Sequence, residues 1–161
     1  ALKGGVASVA DIIEGIGWCI EQDVDIINMS FGGAHSDILQ STVEEARKNG
    51  IIPVAAAGNS GPANQTVGCP GHHYACLTVA SANMDGATSF FSSRGPGWNG
   101  AAKPDVSAPG GDASVRGGSI QAVEAIVGTG TDNGATPLVG TSMAAPHVSG
   151  MVALGSGAHG E

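Results

Sequence analysis

The stretch from Val24 to Ala57, VDIINMSFGGAHSDILQSTVEEARKNGIIPVAAA, decides the fold. Its two ends, Val24 to Met29 and Ile51 to Ala57, are short, apolar and rich in β-branched residues, as strands buried on both faces are. Gly32-Gly33 supplies a turn after the first. Between them Ile38, Leu39, Val43 and Ala46 recur at the three-and-four spacing of one helical face. Ser36 or Asp37 offers a cap, Arg47 and Lys48 fall in the last turn, and Gly50 is a stop signal. Upstream, Val9, Ile12, Ile13, Ile16, Cys19 and Ile20 line one face of another helix of about 14 residues, and Ser8 with Asp11 resembles a capping box at its start. Helix and apolar strand in alternation predict parallel strands joined by right-handed crossovers: an α/β fold, a parallel sheet flanked by helices. In such sheets chemistry collects beyond the carboxyl ends of the strands, which are Ser30-Phe31-Gly32-Gly33 and Ala57-Gly58-Asn59-Ser60-Gly61.

Downstream, Leu77 to Ala80 and Ser89 to Ser92 read as short strands, and residues 93 to 140, rich in Gly and Pro, read as loop-dominated with a turn at Asn133-Gly134. The composition agrees with a packed domain. With 42% hydrophobic and 12% charged residues the chain is too apolar for a disordered one, and its 27 glycines lack the period of collagen. The net charge is −8 and the basic residues form no run, which excludes nucleic acid and anionic membranes as expected partners. No stretch reaches the roughly 18 consecutive apolar residues of a membrane span. Ala1 in place of methionine suggests a processed or excised chain. Cys19, Cys69 and Cys76 lack metal-type spacing, leaving open three free thiols or a Cys69–Cys76 disulfide with Cys19 buried.

The chemistry-bearing segment is Gly140-Thr141-Ser142-Met143-Ala144-Ala145-Pro146-His147-Val148-Ser149-Gly150. It sets a serine between a glycine turn and a helix-like run, Ala144 to Leu154. Unpaired N–H groups and the positive end of the helix dipole lie beside such a serine and would stabilise an oxyanion. Taken alone, Thr141 or Ser142 would more simply be a helix cap. The segment is not alone. Upstream stand Asp25 to Gly33, Ala55-Ala56-Ala57-Gly58-Asn59-Ser60-Gly61, Thr66-Val67-Gly68-Cys69-Pro70-Gly71, Phe91-Ser92-Ser93-Arg94-Gly95-Pro96, and Lys103 to Gly110. Together, and in this order, these blocks resemble the subtilisin-like serine proteases, or subtilases, over about residues 6 to 154.

The resemblance implies a serine endopeptidase that cleaves polypeptides through an acyl-enzyme. Ser142 would be the nucleophile, and the Asn59 side chain with the Ser142 backbone N–H would hold the oxyanion. Ser30, Phe31 and Gly32 would pair with substrate backbone as an added strand. Ala56, Ala57 and Gly58 would form the facing wall of the first specificity pocket, with Gly68 at its base. It also implies a secreted protein, no catalytic cofactor, structural calcium as an option in the parent enzyme, and a cis peptide before Pro70. No acidic cluster marks a calcium or other metal site.

Two departures matter. In subtilases the acid and the base precede the nucleophile, upstream of the block that begins near Val6, and both are absent from this sequence. None of the five histidines replaces the base convincingly. His147 lies five residues after Ser142, roughly 140° around the helix, and should point away. His72 and His73 read as a solvated pair, His35 follows a cleft-lining strand end and is the least poor substitute, and His159 falls in a tail. The second departure is the Gly-rich stretch after Leu154, where the helix should stop. Residues 1–154 then read as part of a subtilase catalytic domain, an incomplete three-layer unit, and 155–161 as a tail. The missing N-terminal part is the expected partner, and without it one sheet edge should be exposed. Asn64-Gln65-Thr66 fits the glycosylation pattern weakly. A non-catalytic subtilase-like module that binds peptide or has a structural role is the alternative, although a binding module needs neither Ser142 nor Asn59. A nucleotide-binding α/β domain is disfavoured because Gly-x-Gly-x-x-Gly does not follow the first strand.

Overall fold

A computed structural model describes residues 6–116, 119–129 and 134–157. Helix α1 (Val9–Glu21) begins at the expected capping box: the Ser8 hydroxyl accepts the Asp11 N–H at 3.1 Å, and the Asp11 carboxylate accepts the Ser8 N–H at 3.0 Å. Strand β1 (Ile26–Met29) leads to helix α2 (Asp37–Lys48), whose cap is Ser36, its hydroxyl accepting the Leu39 N–H. Strands β2 (Ile52–Ala56), β3 (Leu77–Ala82) and β4 (Val106–Pro109) complete a parallel sheet in the order β1-β2-β3-β4. Helix α3 (Thr141–Gly157) carries the serine segment.

The sheet separates two cores. On one face α1 and α2 pack Ile16, Leu39, Val43 and Ala46 against Met29 and Ala55, with Cys69 and Cys76 among them. On the other, Ala144, Ala145 and Val148 of α3 meet Val54, Ala56, Val79 and Ala108. Alternation along β2, with Val54 and Ala56 facing one way and Ala55 the other, follows from the two-residue repeat of a strand. The sheet is therefore covered on both faces, as an all-parallel sheet must be. Among the described residues β1 pairs only with β2, and its outer edge is open beside an apolar groove of about 240 Å³ between α1 and β1.

Several expectations are corrected. Ser89 to Ser92 is not a strand; the segment turns, and its serines are spent as backbone ligands, with Ser92 Oγ accepting the Ser81 N–H and Ser89 Oγ donating to the Gly111 carbonyl. Residues 93 to 140 are not loop-dominated. They contain β4 and two antiparallel hairpins, β5 (Asp112–Arg116) with β6 (Ser119–Glu124) and β7 (Ile126–Thr129) with β8 (Ala135–Leu138). The turn expected at Asn133-Gly134 falls partly outside the described residues. Helix α3 begins three residues before Ala144 and continues through Gly155 to Gly157, beyond the stop expected at Leu154. An established helix tolerates two glycines at about 1 kcal/mol each. All three cysteines are free thiols, and the Cys69–Pro70 peptide is cis.

One buried cation ties the second half of the sheet together. Lys103 is 8% exposed, and its ammonium donates to the Cys76 carbonyl and to the Asp105 carboxylate, each at 2.6 Å. The same carboxylate oxygen accepts the Thr78 N–H at 2.7 Å, so the starts of β3 and β4 share one charged knot.

Candidate active site

Three chain segments meet beyond the carboxyl end of the sheet: the continuation of β1, the loop after β2, and the first turn of α3. Ser142 is the second residue of α3 and is half-buried. Its hydroxyl donates to the Ser30 carbonyl at 2.8 Å, which joins α3 to the end of β1. Its backbone N–H belongs to the first turn, where helix N–H groups have no partner within the helix. Pro146, inside the helix, has no N–H to give the Ser142 carbonyl in return.

Asn59 is fixed with little freedom. Its side-chain oxygen accepts the Thr141 N–H at 2.9 Å and the Thr141 hydroxyl at 3.0 Å. Two donors on one atom identify it as the oxygen and turn the NH₂ the other way. The Thr141 hydroxyl oxygen in turn accepts the Gly58 N–H at 3.1 Å, and Thr141 is fully buried. Gly58 has φ +104°, and a Cβ there would stand 2.9 Å from the Ser93 hydroxyl, so glycine is required in front of Asn59. An amide so held presents a donor without titrating and without reorganising as charge develops.

A cavity of about 410 Å³ opens beside these groups. Phe31 and Gly32 line one side, Ala56, Gly58 and Asn59 the other, and Gly68 lies between, with Ser142 at the mouth of α3. Gly33 and Cys69 exchange two backbone hydrogen bonds, 2.9 and 3.0 Å, closing the far end. Ser30 reaches the site through its carbonyl. Ala57 does not line the cavity: it is fully buried, and its carbonyl accepts the Gly68 N–H at 3.1 Å, holding the wall from behind. Residues to which the sequence assigns no site role also line it, namely Gly33, Ser60, Gln65, Thr66, Val67 and Thr141. Thr141 had been visible only as a helix cap; its contact with Asn59 spans 82 positions and has no local signature.

No histidine reaches Ser142 among the described residues. His147 is exposed and its Nδ1 lies 2.8 Å from the carbonyl of Met143 on its own helix, directed away from the site as the helical angle requires. His35 is engaged elsewhere: Nε2 faces Asp37 at 3.0 Å, Nδ1 faces Gln40, and the ring stacks on Trp98 with centroids 3.8 Å apart. His72 and His73 are not a solvated pair but are 5% and 7% exposed. His72 Nε2 meets the Gln40 amide at 2.8 Å, and His73 Nε2 meets the Glu44 carboxylate at 3.1 Å. Burial holds both imidazoles below their usual pKa range, outweighing the pull of Glu44 on His73. His159 lies outside the described residues. Asn64 is exposed in its loop. No group of three or more His, Cys, Asp or Glu gathers into a metal site among the described residues.

Comparison with known proteins bears on the family and the fold. Serine protease AprX of Bacillus subtilis strain 168 is 36% identical over 174 aligned residues, an alignment covering 94% of this chain and 39% of the relative. Subtilisin DY of Bacillus licheniformis is 35% identical over 94% of this chain and 50% of its own length. Among solved structures, Sphericase superposes with a TM-score of 0.75 at 31% identity, covering 94% of this chain and 50% of the other. A cold adapted subtilisin-like serine proteinase gives 0.74 at 29%, covering 96% and 50%. The chain thus spans half or less of the length of these relatives. The subtilase family model, Peptidase S8, matches residues 2–160, and the chain belongs to the subtilase family.

Proposed function

We propose that this chain is the nucleophile-bearing part of a serine endopeptidase catalytic domain. The observation that carries the reading is the Asn59 amide, oriented by two hydrogen bonds from Thr141 and set beside Ser142 at a helix N-terminus. A bound peptide would extend along Ser30 to Gly32 as an added strand and place the side chain before the scissile bond in the cavity above Gly68, against the wall of Ala56 and Gly58 that Ala57 supports from behind. Ser142 Oγ attacks the scissile carbonyl, its proton passing to a base. The new oxyanion takes hydrogen bonds from Asn59 Nδ2 and the Ser142 N–H, and the base returns the proton to the leaving amine. Water then cleaves the acyl ester by the same route in reverse roles. No metal or redox cofactor enters this chemistry.

The base and its orienting acid are assigned to a segment upstream of residue 6, which would add to the open edge of β1. This segment, the polypeptide substrate, structural calcium in the parent and a secreted location are all parts of the proposal that rest on family resemblance. No helix among the described residues is long and apolar enough to cross a membrane. Removing the histidine of a subtilisin triad costs about a millionfold in turnover, a figure from subtilisins themselves. The 161-residue chain by itself is therefore expected to be nearly inactive. The test is peptide hydrolysis by the longer protein and by its Ser142→Ala variant. Loss of essentially all turnover in the variant is expected, and equal activity in both would overturn the reading.

A further inference from the structure

We propose that His35 and His72 form a two-histidine clip for a borderline transition-metal ion such as Zn²⁺, on the side of the cavity wall away from Ser142. His35 Nδ1 and His72 Nε2 face each other at 3.4 Å. Two nitrogens bound to one Zn²⁺ at about 2.0–2.1 Å, subtending a tetrahedral angle of about 109°, stand about 3.3–3.4 Å apart. The edge of a coordination tetrahedron is thus already set. The outer nitrogen of His35 is occupied in the manner of a metal-bound histidine, Nε2 facing the Asp37 carboxylate at 3.0 Å. Asp37 keeps the proton on His35 Nε2, and the Gln40 NH₂, which only donates, leaves His35 Nδ1 and His72 Nε2 as acceptors, so the two lone pairs converge.

The Gln40 amide sits at the point of convergence, 3.1 Å from His35 and 2.8 Å from His72. In the metal-free protein its NH₂ donates one hydrogen to each ring. Turned by 180° and drawn back, the same side chain offers its oxygen as a third ligand. Among the described residues no third His, Cys, Asp or Glu joins the group, so water completes the sphere. A second cavity of about 350 Å³, lined by His72 and Trp98 and sharing Gln65 and Val67 with the active-site cavity, adjoins the His72 ring. Imidazole nitrogens with an amide oxygen and water suit Zn²⁺, Ni²⁺ and Cu²⁺ better than Ca²⁺ or Mg²⁺. The ion would join the chain after β1 to the turn after Gly68, the two segments already bridged by Gly33 and Cys69.

The test uses the 161-residue chain, freed of metal by a chelator and titrated with ZnCl₂ in a calorimeter. A parallel titration with NiCl₂ follows tryptophan fluorescence in the Trp18→Phe background, where the remaining indole is Trp98. One saturable site is expected, with quenching of Trp98, which stacks on His35. His35→Asn should weaken binding by more than about tenfold, and Asp37→Ala, at a side chain 90% exposed, by about tenfold. His147→Ala should leave affinity unchanged. The proposal is overturned by the absence of saturable binding in the wild-type chain, by unchanged affinity in both His35→Asn and Asp37→Ala, or by loss of the site in His147→Ala. His72→Ala is a weaker probe because that ring is buried, and the half-exposed His35 keeps the test decisive.

Discussion

Removing one methyl-sized polar group should separate the electrostatic account of this site from a purely structural one. Thr141→Val keeps shape and volume but deletes the hydroxyl that donates to Asn59 at 3.0 Å and accepts from Gly58 at 3.1 Å. Two costs follow. The Gly58 N–H is left without its acceptor beside a fully buried position, a loss of about 1–3 kcal/mol in stability. The Asn59 oxygen keeps only the Thr141 N–H at 2.9 Å. An oxyanion donor is worth about 2.7–4 kcal/mol, a range established on a subtilisin. Losing one of two near-equal anchors forfeits up to about half of it, which is up to about 10- to 30-fold in turnover. Substrate carries no oxyanion before reaction, so KM should barely move. The assay is steady-state hydrolysis of a peptide by the longer protein, beside denaturant unfolding of the same samples. Thr141→Ser, which keeps the hydroxyl, should recover most of the turnover. Reduced stability with unchanged kcat would refute the reasoning, because the hydroxyl would then support the fold without orienting the amide.

Other expectations can be checked on the same material. Asn59→Leu should lower kcat by about a hundred- to a thousandfold with little change in KM; a large rise in KM at constant kcat would make Asn59 a ground-state binder. The longer protein should prefer a large apolar or aromatic residue before the scissile bond, and Gly68→Asp should shift preference towards Lys and Arg. A Cβ at Gly68 meets the Gly33 carbonyl at 3.3 Å, so some loss of overall turnover should accompany the shift. A wild-type cleavage profile dominated by Lys and Arg would show the pocket to be misassigned. Burial raises the pKa of the Cys69 thiol and pushes that of Cys76 up to about 12. Ellman's reagent at mildly alkaline pH should therefore react with Cys19 first and reach Cys69 and Cys76 only on unfolding; rapid reaction of all three thiols in the native protein would contradict their burial.

The first half of the fold was legible because its apolar residues repeat at the periods of helix and strand, and because Ser8, Asp11 and Gly50 mark element ends. β4 was not legible. Of Val106 to Pro109 only Ala108 is buried, and Pro109 cannot donate to a ladder, so the strand carries no alternation. Ser89 and Ser92 misled in the opposite direction, since a serine that satisfies a buried backbone group looks in sequence like one on a strand. At the site, Ser142 and Asn59 stand in recognisable blocks, whereas Thr141 acts through a long-range contact and Ala57 supports the wall from behind. His72 and His73 read as solvated because they follow the Pro70 turn in a loop, and nothing local shows that this loop packs against α2. One signal was available: Gln40 interrupts the buried face of α2 between Leu39 and Val43, and a buried amide must have partners.

The central claim is that Ser142 is an activated nucleophile in an oxyanion site completed by an upstream segment. It is tested most directly by treating the 161-residue chain and the longer protein with a fluorophosphonate and locating the adduct by peptide mass spectrometry. The account predicts rapid labelling of Ser142 in the longer protein, little in the shorter chain, and none in Ser142→Ala. Labelling at another residue, or an unlabelled Ser142 in a longer protein that hydrolyses peptides, would contradict it.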